Sequence, residues 1–240
     1  MKVSVVVPAF NEEKLLGDTL ASIQSALSAF TTDGWESEII VCDNNSTDRT
    51  AAIATEAGAR VVHEPHNQIA RARNSGAAAA TGEWLLFVDA DSNPCTELFA
   101  SVKAVIDGGD CIGGGCTLRM NESWRTSWMI HGWNLTSRAL RWPAGSFIFC
   151  EKAAFDALGG FSLKLYASEE IEFAGRLKRL ARKQRRKVRI LSAHPMRTSS
   201  RKIRLYTFWE LFRFAFKFCF FLGNSRFSRN SCHPWYDGRR

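Results

Sequence analysis

Two aspartates, Asp89 and Asp91, stand at alternate positions directly after the apolar run EWLLFV. A carboxylate leaving a buried strand is costly unless something pairs with it. In extended chain, positions i and i+2 share a side, so the two acids can converge and offer oxygen to a hard divalent cation. Two other apolar runs also end in polar groups: KVSVVV leads into PAFNEE, with Pro8, Ala9, Phe10 and Glu12, and SEIIVC leads into Asp43. Arg71 and Arg73 sit two apart in NQIARARNSG, and on a helix they cannot face the same way. Glu169, Glu170 and Glu172 open the run SEEIEFAGRLKRLARK, where the helix dipole alone favours acids.

These groups need elements to position them. KVSVVV, SEIIVC, ARVVHE and EWLLFV read as four short strands, the first broken by Pro8. Helices are expected between them. Asn11 is expected to cap the first, with Glu12 and Glu13 in its opening turn. Asn45 or Ser46 is expected to cap the second, and Gly82 to stop the third, which carries both arginines. Asn93-Pro94 is expected to start a fourth, with proline at the first helical position. The second half is less regular. DCIGGGCTLRM, SFIFC and KVRILSA read as strands, and Ser168 is expected to cap a helix over SEEIEFAGRLKRLARK. Strand–helix alternation at this spacing predicts an α/β fold, a mostly parallel sheet flanked by helices. In such a sheet ligands bind beyond the carboxyl ends of the strands, where Asp43, Asp89 and Asp91 fall.

Composition narrows the class. Seven cysteines, odd in number and without a CxxC pair, argue against a disulfide framework or zinc knuckle and for a reducing compartment. The opening apolar run is too short for a signal peptide, and no stretch reads as a membrane-spanning helix, which predicts a cytoplasmic protein. Neither G-x-G-x-x-G nor a P-loop signature is present, so dinucleotide oxidoreductase and P-loop readings lose their main support. Charge is strongly polarised. Residues 176–240 hold 19 Lys and Arg against Glu210 and Asp237 alone, while the whole chain carries +8. That C-terminal part is suited to an anionic partner.

The order VSVVVPAFNEE, IIVCDNNSTDRT, ARNSGAAAATGEWLLFVDADS resembles the bacterial-type inverting family 2 glycosyltransferases of the GT-A (Rossmann-like) fold. The P-x-x-N-E, D-x-S-x-D, A-R-N-x-G and D-x-D patterns all stand in register. The likeness continues through GSFIFCEKAAFDALGGF and SEEIEFAGRLKR. It implies a metal-dependent transferase that moves a sugar from a nucleoside-diphosphate sugar, UDP favoured, to a saccharide or lipid-linked hydroxyl, in the manner of cell-envelope polysaccharide synthesis. Asp43 would accept from the nucleotide base, with Pro8, Ala9, Phe10 and Glu12 packed beside it. Asp89 would meet the ribose or a metal-bound water, and Asp91 would ligate Mn²⁺ or Mg²⁺, with His194 as a further candidate ligand. Arg73, or less favoured Arg71, would reach the phosphates, and Arg201 the diphosphate or acceptor. Glu170, in the place of the family's usual aspartate, would be the catalytic base; the substitution leaves Glu169 and Glu172 as alternatives. No Q-x-x-R-W occurs, against a processive synthase.

Residues 1–202 are expected to form the GT-A domain and 203–240 a basic aromatic C-terminal extension. The segment 205–222 has amphipathic helical character. It would lie peripherally on an anionic membrane at its inner face, or dock on the enzyme or a homodimer partner. Trp124, Trp128 and Trp133 would be buried or at a subunit interface, or would stack on sugar or lipid. Three alternatives stay open: a polyprenyl-phosphate sugar synthase, a non-catalytic nucleotide-sugar sensor, and a nucleic-acid-binding protein. No nucleic acid is expected, because the basic residues match no recognition motif and the acidic half would repel a backbone.

Overall fold

The computed structural model describes residues 1–120 and 124–199, with 124–129 described by backbone alone. Arg201, the 203–240 extension and the side chains of Trp124 and Trp128 therefore lie outside the described residues. The first half runs β1 (Lys2–Ala9), α1 (Leu16–Ala26), α2 (Ser28–Thr31), β2 (Glu36–Asp43), α3 (Thr50–Glu56), β3 (Arg60–His63), α4 (Ile69–Ala79) and β4 (Trp84–Val88). It continues through β5 (Ser92–Asn93), α5 (Thr96–Asp107), β6 (Cys111–Arg119), α6 (Trp124–Leu140), β7 (Phe147–Glu151), α7 (Lys152–Ala157), α8 (Glu169–Lys183) and β8 (Lys187–Thr198).

All eight strands join one sheet in the order β3-β2-β1-β4-β7-β6-β8-β5. The first four in that order are mutually parallel, as the strand–helix alternation predicts. Beyond them the sheet is mixed. β7 runs antiparallel to both β4 and β6, β6 and β8 are parallel, and the two-residue β5 pairs antiparallel with the end of β8. In the central strands alternate residues enter opposite cores, as the pleat requires. Val3, Val5, Val7, Leu86 and Val88 pack beneath α1 and α5. Val6, Leu85 and Phe87 pack on the other face with Ala70 and Ala77 of α4 and Phe173 and Leu177 of α8.

Several local expectations are corrected. Pro8 does not break β1, which runs through it to Ala9. Pairing with β4 stops at Val6, so past it β1 is bonded on one side only, where proline is tolerated. Asn11 does not cap α1, which begins at Leu16. It has a left-handed φ of 52° and instead clamps the next loop, its N–H donating to Ser46 Oγ and its Oδ1 accepting from Thr47 N–H. Neither Asn45 nor Ser46 caps α3, since Asp48 Oδ1 accepts from Thr50 N–H at 2.9 Å and the helix starts there. Asn93 is taken by strand pairing with Arg197, so α5 starts at Thr96 rather than at Pro94.

Gly76 shows how tightly α4 lies on the sheet. A Cβ at this position would sit 2.4 Å from Val6 Cγ1, so only hydrogen lets the helix approach β1. The five described cysteines are free, and burial pushes the Cys42 and Cys116 thiols up to about 12. They act as small core residues.

Candidate active site

The carboxyl ends of β1, β2 and β4 share one edge of the sheet. Ala9 pairs with Asp43, and Val6 with Phe87, so β4 ends at Val88 and Asp89 leaves the sheet at the level of Pro8. Asp43 is buried. Its Oδ1 accepts from Ser46 N–H at 3.2 Å, and its Oδ2 lies 3.4 Å from His63 Nδ1. Pro8 and Ala9 are buried beside it and Phe10 is half-buried. Glu12, also buried, fixes the turn after β1, its N–H donating to Thr50 Oγ1 at 2.8 Å.

The extended geometry imagined for Asp89 and Asp91 does not persist. The chain turns at Ala90 and Asp91, and Ser92 N–H donates to Asp89 C=O at 3.0 Å. Asp91 C=O in turn accepts from Ser199 N–H at 3.1 Å, which anchors the turn to the end of β8. Among the described residues the half-buried Asp91 carboxylate makes no salt bridge or hydrogen bond. Open carboxylate oxygen is the donor type that a hard divalent ion takes, so Asp91, with Asp89 beside it in the turn, fits Mn²⁺ or Mg²⁺. Among the described residues no three His, Cys, Asp or Glu side chains gather as a metal cluster. His194 is placed on β8. It lies where the β6–β8 register breaks, between Leu191 and Met196, within electrostatic reach of Glu97 on α5.

Arg73 occupies the centre of the site rather than its surface. It is 1% exposed, on the face of α4 that also buries Ala70, Gly76 and Ala77. Its Nη1 donates to Glu169 Oε1 at 2.6 Å, while its Nη2 donates to Asp89 Oδ1 at 3.0 Å and to Gly145 C=O at 2.9 Å. Phe161 covers the guanidinium, 5.4 Å from its ring centre. The arginine expected at the phosphates is thus committed to the protein's own carboxylates. Arg71 faces elsewhere. Burial alone would raise the Glu64 carboxyl, but hydrogen bonds from Ser75 and His66, helped by the Arg71 charge, hold it below its ordinary value.

The three acids of α8 have different surroundings. Glu169 is buried against Arg73. Glu172 grips Arg176 through two bonds of 2.7 Å, and that arginine also donates to the carbonyls of Leu158 and Gly160. Glu170 has no salt bridge among the described residues; a Cβ on Gly145 would lie 3.8 Å from its Oε1. Burial, then the charge of Glu169, pushes its carboxyl up to about 8; Arg73 opposes the rise and Asp89 adds to it. Ser168 precedes the helix as expected but in left-handed conformation, without a side-chain cap. Sequence reasoning missed Glu169 as the counter-ion of Arg73 and the part played by Gly145. The spacing of Ala70, Arg73 and Ala77 on one buried helical face was the available signal, because an arginine there must have partners.

A sequence model of Glycosyl transferase family 2 matches residues 4–167. The chain belongs to that family. It is 34% identical over 148 residues to an undecaprenyl-phosphate 4-deoxy-4-formamido-L-arabinose transferase of Edwardsiella ictaluri, covering 54% of this chain and 42% of the relative. Two solved structures share its fold. Pyrobaculum calidifontis mannosyltransferase PcManGT, in complex with GDP-Man and Mn²⁺, aligns with a TM-score of 0.68 at 22% identity, over 88% of this chain and 60% of that one. S. aureus TarS 1-349, in complex with UDP-GlcNAc, aligns with a TM-score of 0.66 at 20% identity, over 84% and 59%. Against curated relatives the chain spans from 24% to 60% of their length. The curled sheet flanked by helices is thus a GT-A fold. No helix among the described residues is long and apolar enough to cross a membrane.

Proposed function

We propose that the protein is an inverting glycosyltransferase that takes a sugar from a nucleoside diphosphate and passes it to an acceptor hydroxyl, with Glu170 as the base. One observation carries this reading. Of the three acids at the start of α8, Glu169 is held by Arg73 and Glu172 by Arg176, which leaves Glu170 beside Gly145 at the edge where Asp89 emerges. In its ionised form Glu170 removes the acceptor proton as the hydroxyl oxygen attacks the anomeric carbon. The bond from that carbon to the phosphate oxygen breaks, and the nucleoside diphosphate leaves from the opposite face. Its elevated pKa makes the carboxylate a stronger base than an exposed glutamate.

Asp43 and the Pro8–Phe10 turn would receive the nucleotide base, and Asp91 with Asp89 would hold Mn²⁺ or Mg²⁺. The ion, when bound, offsets the charge of the departing diphosphate. The metal and nucleotide sugars seen in the two structural neighbours support this assignment. A polyprenyl-phosphate acceptor is the second reading, favoured by the kinship with the undecaprenyl-phosphate transferase. Calorimetric titration of UDP, GDP and dTDP, with and without Mn²⁺, on wild type and Asp91→Ala tests the donor site. One nucleotide should bind with metal and lose that dependence in the variant; no binding in any condition would sink the proposal.

A further inference from the structure

Two cavities of about 410 and 460 Å³ flank the start of β8, the first against the end of α6 and Val105 of α5, the second against the end of α6 and the later turns of α8, and both are lined by Arg141 and Val188. The second, on the α8 side, is a basic groove. Along α8, at 1.5 Å rise per residue, Lys178 stands about 12 Å and Arg182 about 18 Å beyond Glu170, so the groove is separate from the candidate active site. Arg141, Lys178 and Arg182 line it, with Leu140 and Val188 as apolar wall.

The nearby cations divide into two groups. Arg186 is bidentate to Glu151, while Lys187 and Arg189 both hold Asp110. By contrast Arg138, Arg141 and Arg182 make no salt bridge among the described residues. Among the described residues Lys178 meets the Leu140 carbonyl, 2.9 Å away, and the face of Trp142. The acids of this region are already taken, and residues 200–240 contribute only Glu210 and Asp237. Like charges held together without a counter-ion repel. Burial, then Arg182 and Arg141, indeed push the Lys178 ammonium below its ordinary value. Arg141 also adopts a left-handed φ of 52°, a conformation that a bulky residue rarely takes.

We propose that this groove is a binding site for a phosphate-bearing anion, whose oxygens meet Arg141, Lys178 and Arg182 while its apolar part rests on Leu140 and Val188. Guanidinium forks match phosphate oxygens in geometry and charge, and several of them around one cavity outweigh a scattered basic surface. A lipid headgroup and a soluble phosphate compound share that chemistry. The inference does not depend on the transferase reading, since it concerns a different face.

The test uses the full chain at low ionic strength with two probes: vesicles containing phosphatidylglycerol, read by co-sedimentation, and tripolyphosphate, read by calorimetry. The groove variant is Arg141→Asn with Arg182→Gln; asparagine tolerates the left-handed backbone, and both sites are exposed. A second variant, Arg182→Gln alone, guards against misfolding of the first. Arg213→Gln with Lys217→Gln controls for attraction by the C-terminal segment. Binding is expected to weaken roughly tenfold or more in the double groove variant and less in the tail control, with the thermal melt unchanged. Loss confined to vesicles assigns the anion to a lipid headgroup; loss for tripolyphosphate as well assigns a soluble phosphate ligand. The proposal is overturned if wild type binds neither probe, or if both groove variants bind as wild type does.

Discussion

Arg73 Nη2 lies 3.0 Å from Asp89 Oδ1, joining a helix residue 1% exposed to the first acid beyond β4. The same guanidinium holds Glu169 at the start of α8, so one side chain ties the donor edge of the sheet to the helix that carries Glu170. Removing it would strip both carboxylates of their shared arginine. Arg73→Met is therefore expected to lower the unfolding free energy by about 3–5 kcal/mol, the usual result of breaking a buried pair from one side. Adding Glu169→Gln should recover part of that loss. Urea titrations of the single and double variants decide it, and an Arg73→Met protein as stable as wild type would show that the cluster is not structural.

Glu170 gives a prediction in pH. Its folded-state pKa, about 8, lies above the ordinary value of 4.5. The folded state therefore holds the proton more tightly, and stability declines as pH rises from about 4.5 to about 8. Glu170→Gln abolishes that decline. The variant should match wild type near pH 4.5 and exceed it above pH 8 by about 1–3 kcal/mol, discounted because neighbouring carboxylates titrate together. Thermal melts across this range provide the check; parallel curves for the two proteins would contradict the assignment.

The same substitution should lower turnover by about 100-fold or more while donor binding stays intact. In wild type, kcat/KM should rise with pH until Glu170 is ionised. A variant that keeps both its rate and its pH profile would pass the base role to another group.

Glu172 separates structure from chemistry. Its partner Arg176 fastens α8 to the carbonyls of Leu158 and Gly160. Arg176→Met is expected to cost about 1–3 kcal/mol of stability through those orphaned acceptors. The pH profile of activity should keep its shape. A displaced profile would implicate Glu172 in proton transfer.

How far could the sequence alone reach? The four parallel strands were legible because each is a short apolar run closed by a turn. Asp43, Asp89 and Asp91 could be assigned to one edge from strand order alone. The direction of β7 could not, since FIFCE reads equally well either way and only its neighbours decide. Nor could the partners of Arg73, because Glu169 is 96 positions away and Gly145 contributes a carbonyl that any residue could supply. The caps assigned to Asn11 and Ser46 failed because these residues join two loops, which local propensity does not register, while Asn45 takes a left-handed φ of 65° in the turn.

Packing beneath the site yields a fifth prediction. Gly76→Ala places a methyl 2.4 Å from Val6 Cγ1 and must push α4 off β1. A loss of about 1–3 kcal/mol is expected, typical of overpacking, and chemical denaturation would reveal it. Because Arg73 lies one turn away on α4, donor affinity should fall with it.

The antiparallel course of β7 has an evolutionary consequence. Since β7 starts at the edge where β4 finishes, everything from Arg119 to Phe147, α6 included, is a detour that departs from one hydrogen-bonded strand and returns on another beside Asp89. The closure entropy of such a detour grows only with the logarithm of its length. Lineages can lengthen, shorten or exchange it while the donor half stays fixed. The fold thus carries a replaceable cassette, ending within reach of Glu170, that can change without disturbing the parallel strands.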